Sequence, residues 1–335
     1  MIKHIGIDLG TANTLLYNRG KGIVMSEPSV VALERHTGNV VAVGEKARQM
    51  LGKTPSSILT FRPLKDGVIA DFEVTSIMLH EFLMMIQAIS WFNKPNVTIS
   101  IPYGVTEVEK LAVENAVFEA GARNISLVEE PIAAAIGSGL RVSSNRGNMI
   151  VDIGGGTTEV AVISLDGIVA SRSLRIAGDE MDNAIIQYMK TIHGVVIGEM
   201  TAELLKIKIG SAHSSTDRGS MKVYGRRVKD NSAVEVEVKS SEIRQAIRTP
   251  LEQIIAAIKG TLEDTPPELS ADIWECGIMV TGGCALIAGI DKMINARTGL
   301  RASISKYPLE SVCRGIGRVI ESDGRMENVV RYRSR

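Results

Sequence analysis

A short phrase occurs twice in this chain. Ile5-Gly6-Ile7-Asp8-Leu9-Gly10-Thr11 opens it, and Ile150-Val151-Asp152-Ile153-Gly154-Gly155-Gly156-Thr157 repeats it near the middle. Each reads as an apolar strand that delivers an aspartate into a glycine-bearing turn, with a threonine beyond. Such turns let successive backbone N–H groups converge on a phosphate. The aspartate is a hard oxygen ligand suited to Mg²⁺ or its coordinated waters. Residues 8–13 alone also fit a glycine-containing hairpin with a satisfied aspartate. Three consecutive glycines at 154–156 weaken a strand and need a reason. Taken together, the two turns predict two similar halves gripping one polyphosphate from both sides.

At 335 residues the chain is long for a single core, so two lobes are the expectation. Hydrophobic content of 44% with 23% charged residues describes an ordinary soluble globular protein. A net charge of zero gives no electrostatic case for a nucleic-acid partner. Cys276, Cys284 and Cys313 lack a C-x-x-C spacing, which argues against a cysteine metal site and a disulfide framework and suits a reducing cytoplasm. The N-terminus enters a strand directly, leaving no room for a signal peptide. The longest apolar stretch, residues 82–101, is interrupted by Asn93, Lys94 and Pro95, so no bilayer span is expected.

Strand patterns cover residues 3–8, 14–18, 29–33, 40–43, 97–101 and 125–128, with helices at 45–51, 73–89 and 106–120, the last opened by a Thr106/Glu109 capping box. A Pro131-started, alanine-rich helix follows. Polar residues 141–147 read as a hinge, after which the grammar restarts. Strands are expected at 167–174, 221–224, 234–238 and 277–280. Helices are expected at 179–193, 201–209, 240–262 (bent at Pro250), 285–296 and 308–320. Strands alternating with helices indicate an α/β protein with sheets covered on both faces.

Other segments carry chemistry with two readings each. Gly282-Gly283 sits between an apolar strand and a helix, where a base or ribose can lie against backbone, or where a plain link suffices. Glu203 and Lys206 share a helical face and read by default as a surface ion pair. Glu129-Glu130-Pro131 opens a helix; the dipole alone can account for the carboxylates, or one positions water at a γ-phosphate. Trp91-Phe92 ends an apolar helix and either caps the core or forms a wedge for a bilayer interface. One wedge binds weakly, and many on one polymer multiply. The basic stretch 325–335 reads as a solvated tail, with contact to an anionic leaflet as the alternative.

The paired turns, Glu129-Glu130-Pro131-Ile132-Ala133-Ala134-Ala135-Ile136-Gly137 and Thr281-Gly282-Gly283 resemble the actin, sugar-kinase and heat-shock-chaperone ATPase superfamily. Asp8-Leu9-Gly10-Thr11-Ala12-Asn13-Thr14, Ser26-Glu27-Pro28-Ser29-Val30, Arg62-Pro63-Leu64-Lys65-Asp66-Gly67 and Ala177-Gly178-Asp179-Glu180-Met181-Asp182 narrow the resemblance to the MreB family of bacterial actin-like, rod shape-determining proteins, as does Thr265-Pro266-Pro267-Glu268-Leu269. It covers residues 3–320. The resemblance implies an actin-like fold of two related lobes, each a mixed sheet with flanking helices, making four subdomains around a nucleotide cleft. Lobe I would span 1–142 with an insert at about 31–72 and the helix 308–321 returning to it; lobe II would span 143–307 with an insert at about 179–248; residues 322–335 would form the tail.

By motif position, Thr11, Ala12, Asn13, Gly154, Gly155, Gly156 and Thr157 would meet the phosphates of ATP. Asp8 and Asp152 would organise Mg²⁺, through water, and Glu130 would position the attacking water. Gly178, Glu203 and Lys206 would flank the nucleoside, with Gly282, Gly283, Cys284 and Ala285 beneath it. Trp91 and Phe92 fall where the family has its membrane loop. Cys284 stands where the family usually has a third glycine, and the N-terminal amphipathic extension of some members is absent here. The implied function is an ATP-dependent, slowly hydrolysing filament subunit, self-associating as paired protofilaments. It would lie on the inner face of the cytoplasmic membrane with cell-shape and wall-synthesis proteins as partners. A sugar or small-molecule kinase would need a substrate-binding carboxylate to which the sequence does not point. A chaperone-type ATPase would need a substrate domain beyond the core.

Overall fold

The computed structural model describes residues 3–90 and 94–333. Two large sheets share one plan. In the first, His4–Leu9 pairs antiparallel with Asn13–Asn18, which pairs antiparallel with Gly22–Pro28; on its other side His4–Leu9 runs parallel to Asn96–Ile101, and that strand to Asn124–Glu129. In the second, Asn148–Ile153 pairs antiparallel with Thr158–Ser164 and that strand with Gly167–Leu174, while Ile278–Thr281 and Ala302–Ile304 add parallel strands on the other side. The repeated phrase is thus the inner strand of each sheet, and its turn is the hairpin at that strand's end. Two smaller three-stranded sheets stand apart, one from Val31–Glu34, Val40–Val43 and Ile58–Phe61, the other from Val195–Val196, Ser220–Arg227 and Ala233–Lys239.

Each large sheet has its own apolar core. Ile5, Ile7, Met78, Phe82, Leu83 and Ile99 anchor the first, and Val151, Ile153, Val160, Met181, Ile254 and Ile258 the second. Burying a side chain of this size contributes ~1.5–3 kcal/mol. A third cluster joins them. Helix Glu130–Gly137 contributes Ile132, Ala133 and Ile136, helix Ser311–Glu321 contributes Val312 and Ile316, and the second sheet contributes Ile150 and Ala161. The two helices cross with their backbones in direct apposition. A methyl added to Gly137 would lie 1.7 Å from Ser311 O, and one added to Gly315 would lie 1.8 Å from Ala133 O. Arg318 donates to Ile136 O across the crossing.

Several elements differ from the sequence expectation. The stretch 240–262 is two helices, Ser240–Ala246 and Arg248–Glu263, broken at Ile247 (φ −84°, ψ 3°). Pro250 cannot donate to Ala246, so the break falls a turn earlier and leaves proline in the new helix's first turn, where no N–H is needed. Residues 285–296 hold a short 3₁₀ turn, Gly283–Leu286, and then helix Ile290–Thr298, separated by Gly289 at φ +76°. The last helix begins at Ser311 rather than Pro308, because Pro308 O is taken by Gly282 N and Thr281 Oγ1. Helix Phe72–Met85 stops before Gln87, which is left-handed at φ 54°.

Strands Gly22–Pro28, Ile58–Phe61 and Ala302–Ile304 and helix Pro267–Cys276 were not foreseen. The strands are short or mixed in pattern and depend on their neighbours' hydrogen bonds. Residues 141–147 are tied down: Val142 is buried, its carbonyl accepts from Asp166 N, and Ser144 O accepts from Leu165 N. The described part of the basic tail, to Arg333, packs onto the first sheet. Val329 is buried in the third cluster, and Arg331–Arg333 pairs antiparallel with Ile125, Ser126 and Leu127 as the edge strand of the first sheet.

Candidate functional site

The two hairpins close by the same bond. Gly10 N donates to Asn13 O at 3.1 Å, and Gly154 N donates to Thr157 O at 2.9 Å. They also meet. A methyl on Gly155 would lie 2.8 Å from Ala12 Cβ, and one on Gly156 would lie 2.7 Å from Thr11 Oγ1. Thr11 Oγ1 in turn accepts from Gly67 N at 3.1 Å. Thr11, Ala12, Gly155, Gly156 and Thr157 therefore form one seam between the sheets. Asn13, the exposed first residue of its strand, stands at the seam's edge.

Beneath the seam lies a nest of carboxyl groups. Asp8 and Asp152 occupy equivalent places near the ends of the inner strands. Burial, then the charge of Asp152, pushes the Asp8 carboxyl up to about 7, against the opposing pull of Cys313 N–H at the start of helix Ser311–Glu321. Burial pushes Asp152 up to about 7. Glu130, first residue of its helix, is raised by burial and then by Glu159, Asp8 and Asp152. Glu159 was not foreseen. It is the cross-strand partner of Asp152 and only 3% exposed, and burial raises its carboxyl to about 8. The signal for it was present: one acid in Thr158–Ser164, a strand otherwise buried and largely apolar. Four carboxyl groups, Glu159 buried and the other three partly buried, with little cationic compensation suit a site that receives cation from outside. Asp8 and Asp152 are the hard-oxygen donors that fit Mg²⁺. Among the described residues no group of three or more His, Cys, Asp or Glu is arranged to hold a metal ion by itself.

A third wall stands beside the second hairpin. Gly178 N donates to Gly154 O at 3.2 Å and Asp179 N to Gly155 O at 2.8 Å, so helix Gly178–Tyr188 starts on that turn. Lys206 Nζ donates to Gly178 O (2.8 Å) and to Asp182 Oδ2 (2.7 Å). Burial lifts Asp182 to about 6 despite that lysine. Lys206 and Glu203 do not pair with each other. Glu203 instead accepts from Arg48 at 2.8 Å, a bridge from the first small sheet's helix to Glu199–Ile209. Gly282 at φ +84° passes so close to Asp152 that a methyl there would lie 2.4 Å from Oδ1. Cys284 and Ala285 are buried in the following 3₁₀ turn. The Cys284 thiol, raised to about 11 by burial, donates to Gly154 O at 3.3 Å.

The structure thus brings Asp8, Thr11, Ala12, Glu130, Asp152, the 154–157 turn, Gly178, Lys206, Gly282, Gly283, Cys284 and Ala285 around one region. Glu203 sits at its outer rim. Trp91 and Phe92 lie outside the described residues. No helix among the described residues is long and apolar enough to cross a membrane.

Comparison with known proteins agrees with this geometry. A family model described as "MreB/Mbl protein" matches residues 2–328. The chain is 47% identical over 322 residues to the cell shape-determining protein MreB of Escherichia coli K12, covering 95% of this chain and 93% of that one. It is 44% identical over 320 residues to the cell shape-determining protein Mbl of Bacillus subtilis 168, covering 96% of each. Crystal structures of MreB5 of Spiroplasma citri bound to ADP and to AMPPNP superpose with a TM-score of 0.91 at 37% identity, covering 96% of this chain and 98% of that one. The MamK double helical filament subunit shares the fold alone, at 21% identity and TM-score 0.81. On these matches, the chain belongs to the MreB/Mbl family of actin-like, cell shape-determining proteins.

Proposed function

We propose that this protein binds ATP with Mg²⁺ between its two glycine hairpins, hydrolyses it slowly, and assembles into paired filaments on the inner face of the cytoplasmic membrane. There it would organise cell-wall synthesis through membrane partners. The observation that carries the reading is the seam of Thr11–Ala12 against Gly155–Gly156 above the partly buried Asp8 and Asp152. The MreB5 structures, solved with ADP and AMPPNP, support it by relationship.

In this reading lobe I is 1–142 with its insert at about 31–72, and lobe II is 143–307 with its insert at about 179–248. Backbone N–H groups and the hydroxyls of Thr11 and Thr157 hold the phosphates from two sides, with Ala12, Asn13, Gly154, Gly155 and Gly156 supplying close approach. Asp8 and Asp152 would hold Mg²⁺, whose charge would offset that of the phosphates. Lys206, fixed by Gly178 O and Asp182, and Glu203 flank the nucleoside, over Gly282, Gly283, Cys284 and Ala285. Glu130 accepts a hydrogen bond from the attacking water. Phosphoryl transfer needs little more than placement and charge stabilisation, and water positioned by carboxylate with one metal ion fits a slow clock better than a metabolic turnover.

Trp91 and Phe92 form the membrane wedge. Met84 and Met85, at the end of helix Phe72–Met85, are exposed, an apolar surface on the described part of that segment. Pelleting with and without ATP, and with and without anionic vesicles, tests the whole. Asp152→Ala is expected to abolish ATP-dependent pelleting. Trp91→Ser with Phe92→Ser should leave filaments that no longer co-sediment with vesicles; persistent co-sedimentation removes the loop from the account.

A further inference from the structure

Glu159 is built into the site in a way the reading above does not use. Its Oε1 accepts from Tyr103 N at 2.8 Å. Tyr103 follows the strand Asn96–Ile101 of the first sheet, whereas Glu159 belongs to Thr158–Ser164 of the second, so this bond crosses between the lobes. Its other oxygen, Oε2, is buried with no partner in the protein. A buried carboxylate oxygen left unpaired is costly, and a partner from outside the protein removes that cost. Cross-strand pairing with Asp152 puts both side chains on one face of the sheet. Tyr103 stands two residues beyond Ile101, whose strand partner Glu129 immediately precedes Glu130, so the bond to Tyr103 holds Glu159 near Glu130, and the Glu130 carboxyl is raised in part by the Glu159 charge. A water reaching Oε2 donates a hydrogen to it once the carboxyl is ionised, and it does so near Glu130.

We propose that Glu159 is a second catalytic carboxylate, whose Oε2 accepts one hydrogen of the attacking water while Glu130 accepts the other. A water held by both hydrogens has its remaining lone pair free for the γ-phosphorus. Its oxygen bonds to phosphorus as the bond from phosphorus to the β,γ-bridging oxygen breaks, and ADP departs with that electron pair. The proton that water loses rests on one of the two carboxylates and leaves with the released phosphate. Because Oε1 is tied to Tyr103 N, Glu159 reaches this position only when the two lobes are together, which links hydrolysis to closure. The inference rests on the hydrolysis reading and adds a residue to it.

The test compares the full-length wild type with Glu159→Gln, Glu159→Ala, Glu130→Ala and the double variant Glu130→Ala/Glu159→Gln. Phosphate release from saturating Mg-ATP and affinity for a fluorescent ATP analogue are measured for each. Glutamine keeps an acceptor for Tyr103 N but loses the carboxylate. Glu159→Gln is expected to bind the analogue within about threefold of wild type and to melt with it, yet to release phosphate at least about tenfold more slowly, a threshold set below the roughly 10²–10⁴-fold of a positioned acid–base group. The double variant should be no slower than the slower single one, since both residues act on one water. Release by Glu159→Gln within twofold of wild type, with only Glu159→Ala destabilised, makes the residue a structural tie and overturns the proposal. So do single-variant effects that multiply in the double variant. Absence of phosphate release from the wild type overturns the hydrolysis reading itself, and this inference with it.

Discussion

The helix crossing at Gly137 and Gly315 sets a sharp expectation for Gly315→Ala. An ordinary carbon–oxygen contact is about 3.3 Å, and the new methyl would lie 1.8 Å from Ala133 O and 2.6 Å from its carbonyl carbon. The obstacle is main chain, so no side-chain rotation relieves it and helix Ser311–Glu321 must withdraw by roughly 1.5 Å from Glu130–Gly137. Overpacking of this kind costs about 1–3 kcal/mol, and backbone obstruction places it at the top of that range. The helix-propensity gain of alanine over glycine returns up to about 1 kcal/mol. A net loss of about 2 kcal/mol remains, or about 4 °C in Tm at roughly 2 °C per kcal/mol for a chain this long. Gly167→Ala is the control, since its methyl would meet nothing closer than Ser164 O at 3.7 Å. Differential scanning fluorimetry on both, without nucleotide, decides. If Gly315→Ala melts within 1 °C of Gly167→Ala, the crossing is not held at backbone contact and the joint between the sheets is looser than described.

The carboxyl nest gives a pH expectation. In the unfolded chain these aspartates protonate near pH 4, but in the folded chain Asp8 and Asp152 do so at about 7. The folded, nucleotide-free state therefore keeps protons that the unfolded state has lost, and stability falls as pH rises from about 4 to 7. Urea midpoints at pH 5 and 7.5 should show Asp152→Asn gaining on wild type at the higher pH; a gain at the lower pH reverses the sign and refutes the burial argument. Native thiol titration should find Cys276 fast and Cys284 and Cys313 slow, because Cys276 is exposed while burial raises the other two; three fast thiols would contradict this. The Arg48–Glu203 bridge, whose side chains are each 29% exposed, should be worth under about 1 kcal/mol in a double-mutant cycle. A larger coupling would make it a clasp across the cleft.

The sequence made the hairpin–aspartate unit legible because strand, aspartate and glycine turn are all local signals. The capping box at Thr106 and Glu109 was legible for the same reason, and the structure has both of its bonds. What escaped was non-local. Glu159 looks like a stray acid until strand pairing sets it beside Asp152. Lys206 and Glu203 read as a pair by helical spacing, yet each finds a stronger partner from another element, Asp182 for one and Arg48 for the other. The tail 325–335 is basic by composition and reads as solvated, but one buried valine and an open sheet edge hold its described part, to Arg333, against the first sheet. The crossing glycines were visible as letters and not as a contact, since nothing near them in the chain says which backbone they approach.

The central claim is that two equivalent hairpins, one from each sheet, close on a single metal–triphosphate. A crystal structure with AMPPNP and Mn²⁺, the metal located by its anomalous signal, tests it most directly. The account requires the triphosphate between residues 11–13 and 154–157, with the metal reached by Asp8 and Asp152 directly or through water. A triphosphate held by one hairpin alone, or a metal remote from both aspartates, contradicts it.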